Sequence, residues 1–153
     1  MDENDMSGYF AIGIENNKTP MNLGTLWRSA FLFDAKFIFT INVRYKKQGS
    51  DTCKTWRQLP YFAFATVTDF LEHRPADCEL VGIEMIVGAI DIRDFKHPKR
   101  AIYVLGAEDS GLSNKIISSC QYLIKIPTAF SLNVASAGTV VLYDRLAKQE
   151  RLT

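Results

Sequence analysis

Short apolar runs rich in β-branched and aromatic residues alternate along this chain with segments of helical length, and no other feature restricts the fold as much. Y-F-A-I-G-I (Tyr9 to Ile14), K-F-I-F-T-I-N-V (Lys36 to Val43), E-L-V-G-I-E-M-I-V (Glu79 to Val87), A-I-Y-V-L (Ala101 to Leu105) and the run from Tyr122 to Ile126 read as strands, with Tyr61 to Ala65 as a short edge strand. Between them, M-N-L-G-T-L-W-R-S-A-F-L-F (Met21 to Phe33) is long enough for a helix. It puts Leu23, Leu26, Trp27, Ala30 and Phe33 on overlapping apolar faces, with Asn22 able to cap its start. Shorter helices are expected from Thr52 to Leu59, carrying Trp56 and Arg57 and stopped by Pro60, from Thr68 to His73, and from Ser113 to Ser119. A last helix runs through Val134, Ala137, Val141, Leu142 and Leu146 at helical period. Strands that alternate with helices predict an α/β fold, a mostly parallel sheet with helices on both faces.

The chain has 153 residues, 47% of them hydrophobic, which fits one domain over residues 1–153 with a sizeable core. A formal charge of +1 supplies no overall positive field, so any nucleic-acid contact must come from a local basic patch or a dimeric surface. Cys53, Cys78 and Cys120 are odd in number and far apart, which suggests neither a disulfide framework nor a zinc site. The opening M-D-E-N-D-M-S-G is acidic where a signal peptide is basic, and no apolar run approaches membrane-spanning length. A soluble, cytoplasmic protein without metal or membrane partner is the expectation.

Polar residues gather in three places. In I-P-T-A-F-S-L-N-V-A-S-A-G (Ile126 to Gly138), Pro127 closes a strand, and Ser131 and Asn133 bring a hydroxyl and an amide to the start of the last helix, as in a binding loop. In G-A-E-D-S-G-L-S, glycines at both ends (Gly106, Gly111) flank Glu108 and Asp109 just after a strand, where open α/β sheets bind ligands. R-Y-K-K-Q-G-S-D (Arg44 to Asp51) sets Arg44, Lys46 and Lys47 around Tyr45, a mixture suited to phosphate contact and base stacking and also to an ordinary solvated loop. Arg28 is the only charge on an otherwise apolar helix. Glu84, inside a strand run, is either a solvated strand-end carboxylate or a group aimed at a ligand. The chain lacks G-x-G-x-x-G, G-x-x-x-x-G-K-[ST] and G-x-S-x-G, and His73 and His97 sit in unrelated contexts, which argues against a histidine triad.

P-M-N-L-G-T-L-W-R-S-A (Pro20 to Ala30), V-L-G-A-E-D-S-G-L-S (Val104 to Ser113) and I-P-T-A-F-S-L-N-V-A (Ile126 to Ala135) together resemble the three ordered motifs of the SpoU/TrmH RNA 2′-O-ribose methyltransferases of the SPOUT superfamily. The length is similar to that of the minimal members, which include tRNA wobble-position enzymes. The resemblance implies a C-terminal deep trefoil knot, an exception to the rule against knotted chains. It also implies S-adenosylmethionine bound by the loops after the last three strands, at Ile83 or its neighbour Gly82, Leu105, Gly106, Ile126, Ser131 and Leu132. Asn22, Arg28, Glu108, Ser131 and Asn133 match the family's polar motif positions, with Arg28 as the catalytic candidate. Arg28, Arg44, Lys46 and Lys47 become the candidate RNA contacts. The family also implies homodimers with the active site at the interface, and RNA, tRNA above all, as partner.

One departure accompanies the match: between the proline and S-L-N many relatives carry a longer, glycine-containing loop, where this chain has only Thr128, Ala129 and Phe130. Three function classes follow. They are an RNA ribose methyltransferase, a non-catalytic RNA-binding dimer that keeps the fold, and a flavodoxin-like nucleotide-binding module. The retained Asn22, Arg28, Glu108 and Asn133 favour the first.

Overall fold

The computed structural model describes residues 8–44 and 58–150. Among the described residues seven strands form one sheet: β1 (Tyr9–Glu15), β2 (Ile38–Ile41), β3 (Tyr61–Phe64), β4 (Glu79–Ile83), β5 (Ile90–Asp91), β6 (Arg100–Gly106) and β7 (Tyr122–Lys125). Their spatial order is β3-β2-β1-β6-β4-β7-β5, and every neighbouring pair runs parallel. The helices are α1 (Pro20–Leu32), α2 (Val67–His73), α3 (Asn114–Ser119) and α4 (Val134–Glu150).

Period-2 alternation in the central strands builds two cores. Phe10, Ile12 and Ile14 of β1, with Tyr103 and Leu105 of β6, pack under α1 and α4 against Leu26, Ala30, Val141 and Leu142. Ala11 of β1 and Ile102 and Val104 of β6 turn the other way, against Phe70 of α2 and Ile116 of α3. Helices therefore cover both faces, as the alternation predicts. Val134, Ala137, Val141 and Leu142 are all core residues, each 8% exposed or less.

Several boundaries move for local reasons. Asn22 does not cap α1. The helix starts two residues earlier at Pro20, whose fixed φ suits the first turn, after Thr19 in extended conformation. β2 stops at Ile41 because Asn42 takes a left-handed φ of 55°. β4 ends at Ile83, four residues short of the expected Val87, which is fully exposed. The polar stretch after it hides a two-residue edge strand, β5, and a 3-10 turn at Ile92–Asp94 capped by Asp91, too short to leave an apolar pattern. Lys46, Lys47, Cys53, Trp56, Arg57 and most of the helix expected over Thr52 to Leu59 lie outside the described residues.

α4 is locked to the sheet by a buried polar cluster. Arg145, 3% exposed, donates to the Pro98 carbonyl at 2.7 Å, the Lys99 carbonyl at 2.9 Å and the Tyr103 hydroxyl at 3.1 Å. His97 bridges the Tyr103 hydroxyl and the Asp144 carboxylate, each at 2.7 Å, and Lys148 reaches the same carboxylate at 2.8 Å. Burial outweighs the Asp144 carboxylate and holds the His97 pKa below its ordinary value. The unfolded chain thus takes up a proton on His97 at a higher pH than the folded chain does. Stability falls as pH drops through about 6.5, the unfolded value, and levels off below the depressed folded pKa. Chemical denaturation at pH 7.5 and pH 5 is expected to give a larger stability loss for the wild type than for His97→Gln, and equal losses would refute the assignment.

Candidate active site

The order of strands reverses between β1 and β6: the chain builds outward from β1 to β2 and β3 on one side, and places β4, β7 and β5 beyond β6 on the other. At such a switch point the loops leaving the carboxyl ends of the two strands diverge and leave a crevice. Here those loops are residues 16–19 and 107–113. Asn16 and Asn42 both take left-handed φ values, 57° and 55°, and the Asn42 amide donates to the Asn16 side-chain oxygen at 2.7 Å, which fixes the exits of β1 and β2 together. A cavity of about 210 Å³ lies there, lined by Asn17, Lys18, Thr19, Asn22, Glu108 and Asp109 among others.

Three of the five expected polar residues meet at its edge. The Asn133 amide nitrogen donates at 3.0 Å to the Asn22 side-chain oxygen and at 3.0 Å to a Glu108 carboxylate oxygen. The other end of Asn133 caps α4: its side-chain oxygen accepts from the Ser136 N–H at 3.1 Å and its carbonyl from the Ala137 N–H at 2.8 Å. One residue thus starts α4 and joins α1 to the loop after β6. Asn22 is free to take part because it lies inside α1 and does no capping.

A larger cavity of about 680 Å³ adjoins the first, sharing Ala107, Glu108, Asp109 and Val134 with it. Ile83, Leu105, Gly106, Ile126, Ser131 and Leu132 all line it, so residues expected from three separate loops converge. Gly82 does not. It faces the opposite core, where a Cβ would lie 2.9 Å from Cys120 Sγ and 3.0 Å from Leu112 Cδ1. Of the two neighbours Ile83 and Gly82, only Ile83 borders the cavity. Burial pushes the Cys120 thiol up to about 12, which leaves it inert.

Carboxylates hold the rim in shape. Glu84 accepts the Leu112 N–H at 2.8 Å, and a Cβ on Gly111, whose φ is 65°, would fall 2.8 Å from the same carboxylate. Gly106 is held as tightly, since its Cβ would sit 2.4 Å from the Gly111 carbonyl carbon. Glu15, 1% exposed at the end of β1, accepts the Ser113 N–H at 2.8 Å. Glu84 therefore braces the loop after β6 as well as lining the cavity. Glu15 escaped the sequence reading because a single acid ending an apolar strand resembles a solvated residue.

The cations divide. Arg28 is exposed, borders neither cavity, and lies six residues beyond Asn22, about 9 Å along the helix axis. Arg44 instead lies at the rim, paired with Asp109 through Nη1 at 3.1 Å and Nη2 at 2.8 Å. That guanidinium holds the Asp109 carboxyl down at about 2. Among the described residues no cluster of His, Cys, Asp or Glu could hold a metal, and no helix is long and apolar enough to cross a membrane.

A parallel sheet with a cavity formed by three loops at its carboxyl edge, bordered by an amide and carboxylate cluster, is the layout of an α/β protein with its candidate site at the strand ends. The sequence model of the SpoU rRNA Methylase family matches residues 9–143, and the chain belongs to that family. A 23S rRNA (uridine(2479)-2′-O)-methyltransferase of Streptomyces viridochromogenes is 35% identical over 92% of this chain, which spans 53% of that protein. The chain spans about half the length of most of the curated relatives it matches. It covers 9% of a mouse tRNA (guanosine(18)-2′-O)-methyltransferase, at 22% identity. The SpoU methyltransferase AviRb of Streptomyces viridochromogenes, solved in complex with the cofactor AdoMet, superposes with a TM-score of 0.79 at 26% identity, over 94% of this chain and 58% of that one. A structure described for 2′-OH methylation of C/U34 on tRNA superposes at 0.82 and 17% identity, over 94% of this chain and 98% of the other.

Glu84→Ala leaves the Leu112 N–H without its acceptor, a loss of about 1–3 kcal/mol. The Leu112 amide is expected to exchange with deuterium roughly tenfold faster or more in this variant, and unchanged exchange would show that Glu84 does not brace the loop.

Proposed function

We propose that this chain transfers a methyl group from S-adenosylmethionine to a ribose 2′-hydroxyl of RNA, with tRNA as the substrate. The convergence of Asn22, Glu108 and Asn133 at the border between two contiguous cavities carries the reading. The larger cavity is of ordinary cofactor size, with apolar walls at Ile83, Leu105 and Leu132 and polar groups at Ser131 and Glu108. Bound there, S-adenosylmethionine supplies a methyl group already activated by its sulfonium, so a strong base is unnecessary. The protein's task is then to orient a weak nucleophile and offset the charge that develops on it. Asn22, Glu108 and Asn133 offer fixed amide and carboxylate positions for a ribose hydroxyl. Arg28 acts through charge and not as a base. tRNA is favoured because the C/U34 enzyme matches along nearly its whole length, whereas the rRNA relative is about twice as long. Both reactants are intracellular, and a cytoplasmic setting goes with this reading.

A homodimer explains why Arg28 stands apart from the other site residues. Met21, Leu32, Val140 and Tyr143 are 79%, 65%, 40% and 62% exposed on α1 and α4, and a second copy covering them would carry each Arg28 toward the partner's site. Tyr143→Glu is expected to shift sedimentation from dimer to monomer and to lower methyl transfer with it. A monomeric wild type would sink the shared site. The trefoil knot belongs to the same proposal, as does a single domain over the whole chain. Its support is the insertion of β7, late in the chain, between the earlier β4 and β5, followed by α4 packing back on α1.

Mapping 2′-O-methyl groups in RNA from cells with and without the gene tests the activity, and identical maps would count against it. Arg28→Ala is expected to slow single-turnover methylation at saturating RNA and S-adenosylmethionine by roughly a hundredfold. A normal rate there would remove Arg28 from the reaction, and full rescue by high RNA concentration would make it a phosphate grip only.

A further inference from the structure

The rim of the smaller cavity carries a charge arrangement that methyl transfer itself does not use. Asp109 sits directly after Glu108 and lines both cavities. Two cations converge on it: Arg44 through the two-pronged contact at 3.1 and 2.8 Å, and Lys18 with Nζ at 3.8 Å from Oδ2. Arg44 is aimed by the backbone, since its Nε donates to the Asn16 carbonyl at 2.9 Å and its own N–H to the Asn17 carbonyl at 3.0 Å. The guanidinium fork that grips a carboxylate in this way grips a phosphate equally well. All three side chains are open to solvent, at 66%, 35% and 43% exposed for Lys18, Arg44 and Asp109. So exposed a pair contributes little net free energy, and exchanging one anion for another costs little.

Given the RNA reading above, on which this rests, we infer that Lys18 and Arg44 hold the RNA phosphate next to the reacting ribose, and that Asp109 occupies them until that phosphate displaces it. Asp109 is then an internal stand-in for the substrate. Without RNA it neutralises part of the rim and keeps Arg44 oriented. When RNA arrives, the two cations transfer to the phosphate, and the sugar enters the pentose-sized cavity that Lys18 and Asp109 line. The competing idea, a latch that only holds the loop after β6 in shape, predicts the opposite response to removal of the Asp109 charge.

Fluorescence anisotropy of the full chain with a labelled oligouridine RNA, across a series of KCl concentrations, decides between them. Lys18→Met and Arg44→Met should each weaken binding and reduce the slope of log affinity against log salt by roughly 0.7 to 1. Asp109→Asn should tighten binding several-fold, and this gain should vanish in the Lys18→Met/Arg44→Met background. Asp77→Asn makes the same charge change at the opposite edge of the sheet, beside Tyr9 and Arg100, and should leave affinity nearly unchanged. Calorimetric affinity for S-adenosylmethionine should be the same in Lys18→Met and Arg44→Met, neither of which lines the larger cavity. An Asp109→Asn variant that binds RNA no better, a gain that survives loss of both cations, an equal gain in Asp77→Asn, or a parallel loss of S-adenosylmethionine affinity in Lys18→Met or Arg44→Met would each overturn the inference. So would a wild-type protein that binds no oligouridine. Lack of methyl transfer with this binding pattern intact would sink the methyltransferase reading alone, while methyl transfer with a flat response to these substitutions would sink the exchange alone.

Discussion

The parallel ladder between β1 and β6, seven residue pairs from Tyr9 beside Arg100 to Glu15 beside Gly106, is the constraint on which the rest of the structure depends. It places strands from distant parts of the chain side by side at the centre of the sheet, and so creates the switch point and its crevice. Both strands finish on residues with duties in the crevice. Glu15 ends β1 by gripping the Ser113 N–H, and Gly106 ends β6 where only a missing side chain lets the loop fold back on itself. A slip of one residue in this register would turn Ile12 and Tyr103 to the opposite face and carry Glu15 away from its partner. Core packing and site assembly are therefore set by the same pairing.

Asn133 transmits that arrangement to the C-terminal helix. A helix start needs acceptors for its first N–H groups, and an asparagine satisfies one with its oxygen while its nitrogen stays available. That nitrogen is spent on Asn22 and Glu108, so the position of α4 and the spacing of the polar cluster are not independent variables. At its far end α4 is fixed again by Arg145 and by the His97 and Asp144 contact. The helix that completes the site is thus tied at both ends to the loops and strands of the sheet.

Much of this was legible in the chain because apolar periodicity reports burial directly. The continuous apolar runs of β1 and β6 and the apolar face of α1 gave strand and helix correctly. Two of the three polar stretches, Gly106 to Ser113 and the one that begins at Ile126, were legible as loops at strand ends, which is where the cavities lie, and the third lies beyond Arg44 outside the described residues. Contacts between loops were not legible, since nothing in the sequence tells that Glu84 faces Leu112, or that Arg44 is already paired with Asp109. The choice between Gly82 and Ile83 was also hidden: adjacent strand residues face opposite ways, and only the packed partner, Cys120 in one case and the cavity in the other, identifies which way each points. Asn22 misled for a related reason. Asparagine near a helix start usually caps it, but Pro20 had already begun this helix, and the side chain was left for tertiary use.

The loop before Ser131 is short and closes on itself. With only Thr128, Ala129 and Phe130 to span the turn, the chain closes it locally: the Thr128 hydroxyl donates to the Phe130 carbonyl at 2.6 Å. The turn thereby satisfies one of its own backbone acceptors. Ile126 before it and Ser131 and Leu132 after it border the cavity. There Phe130, 87% exposed, stands at the mouth with Met85, 54% exposed, from the segment after β4. The inner contacts are fixed by the strands and by α4, so the outer wall is free to vary without moving them.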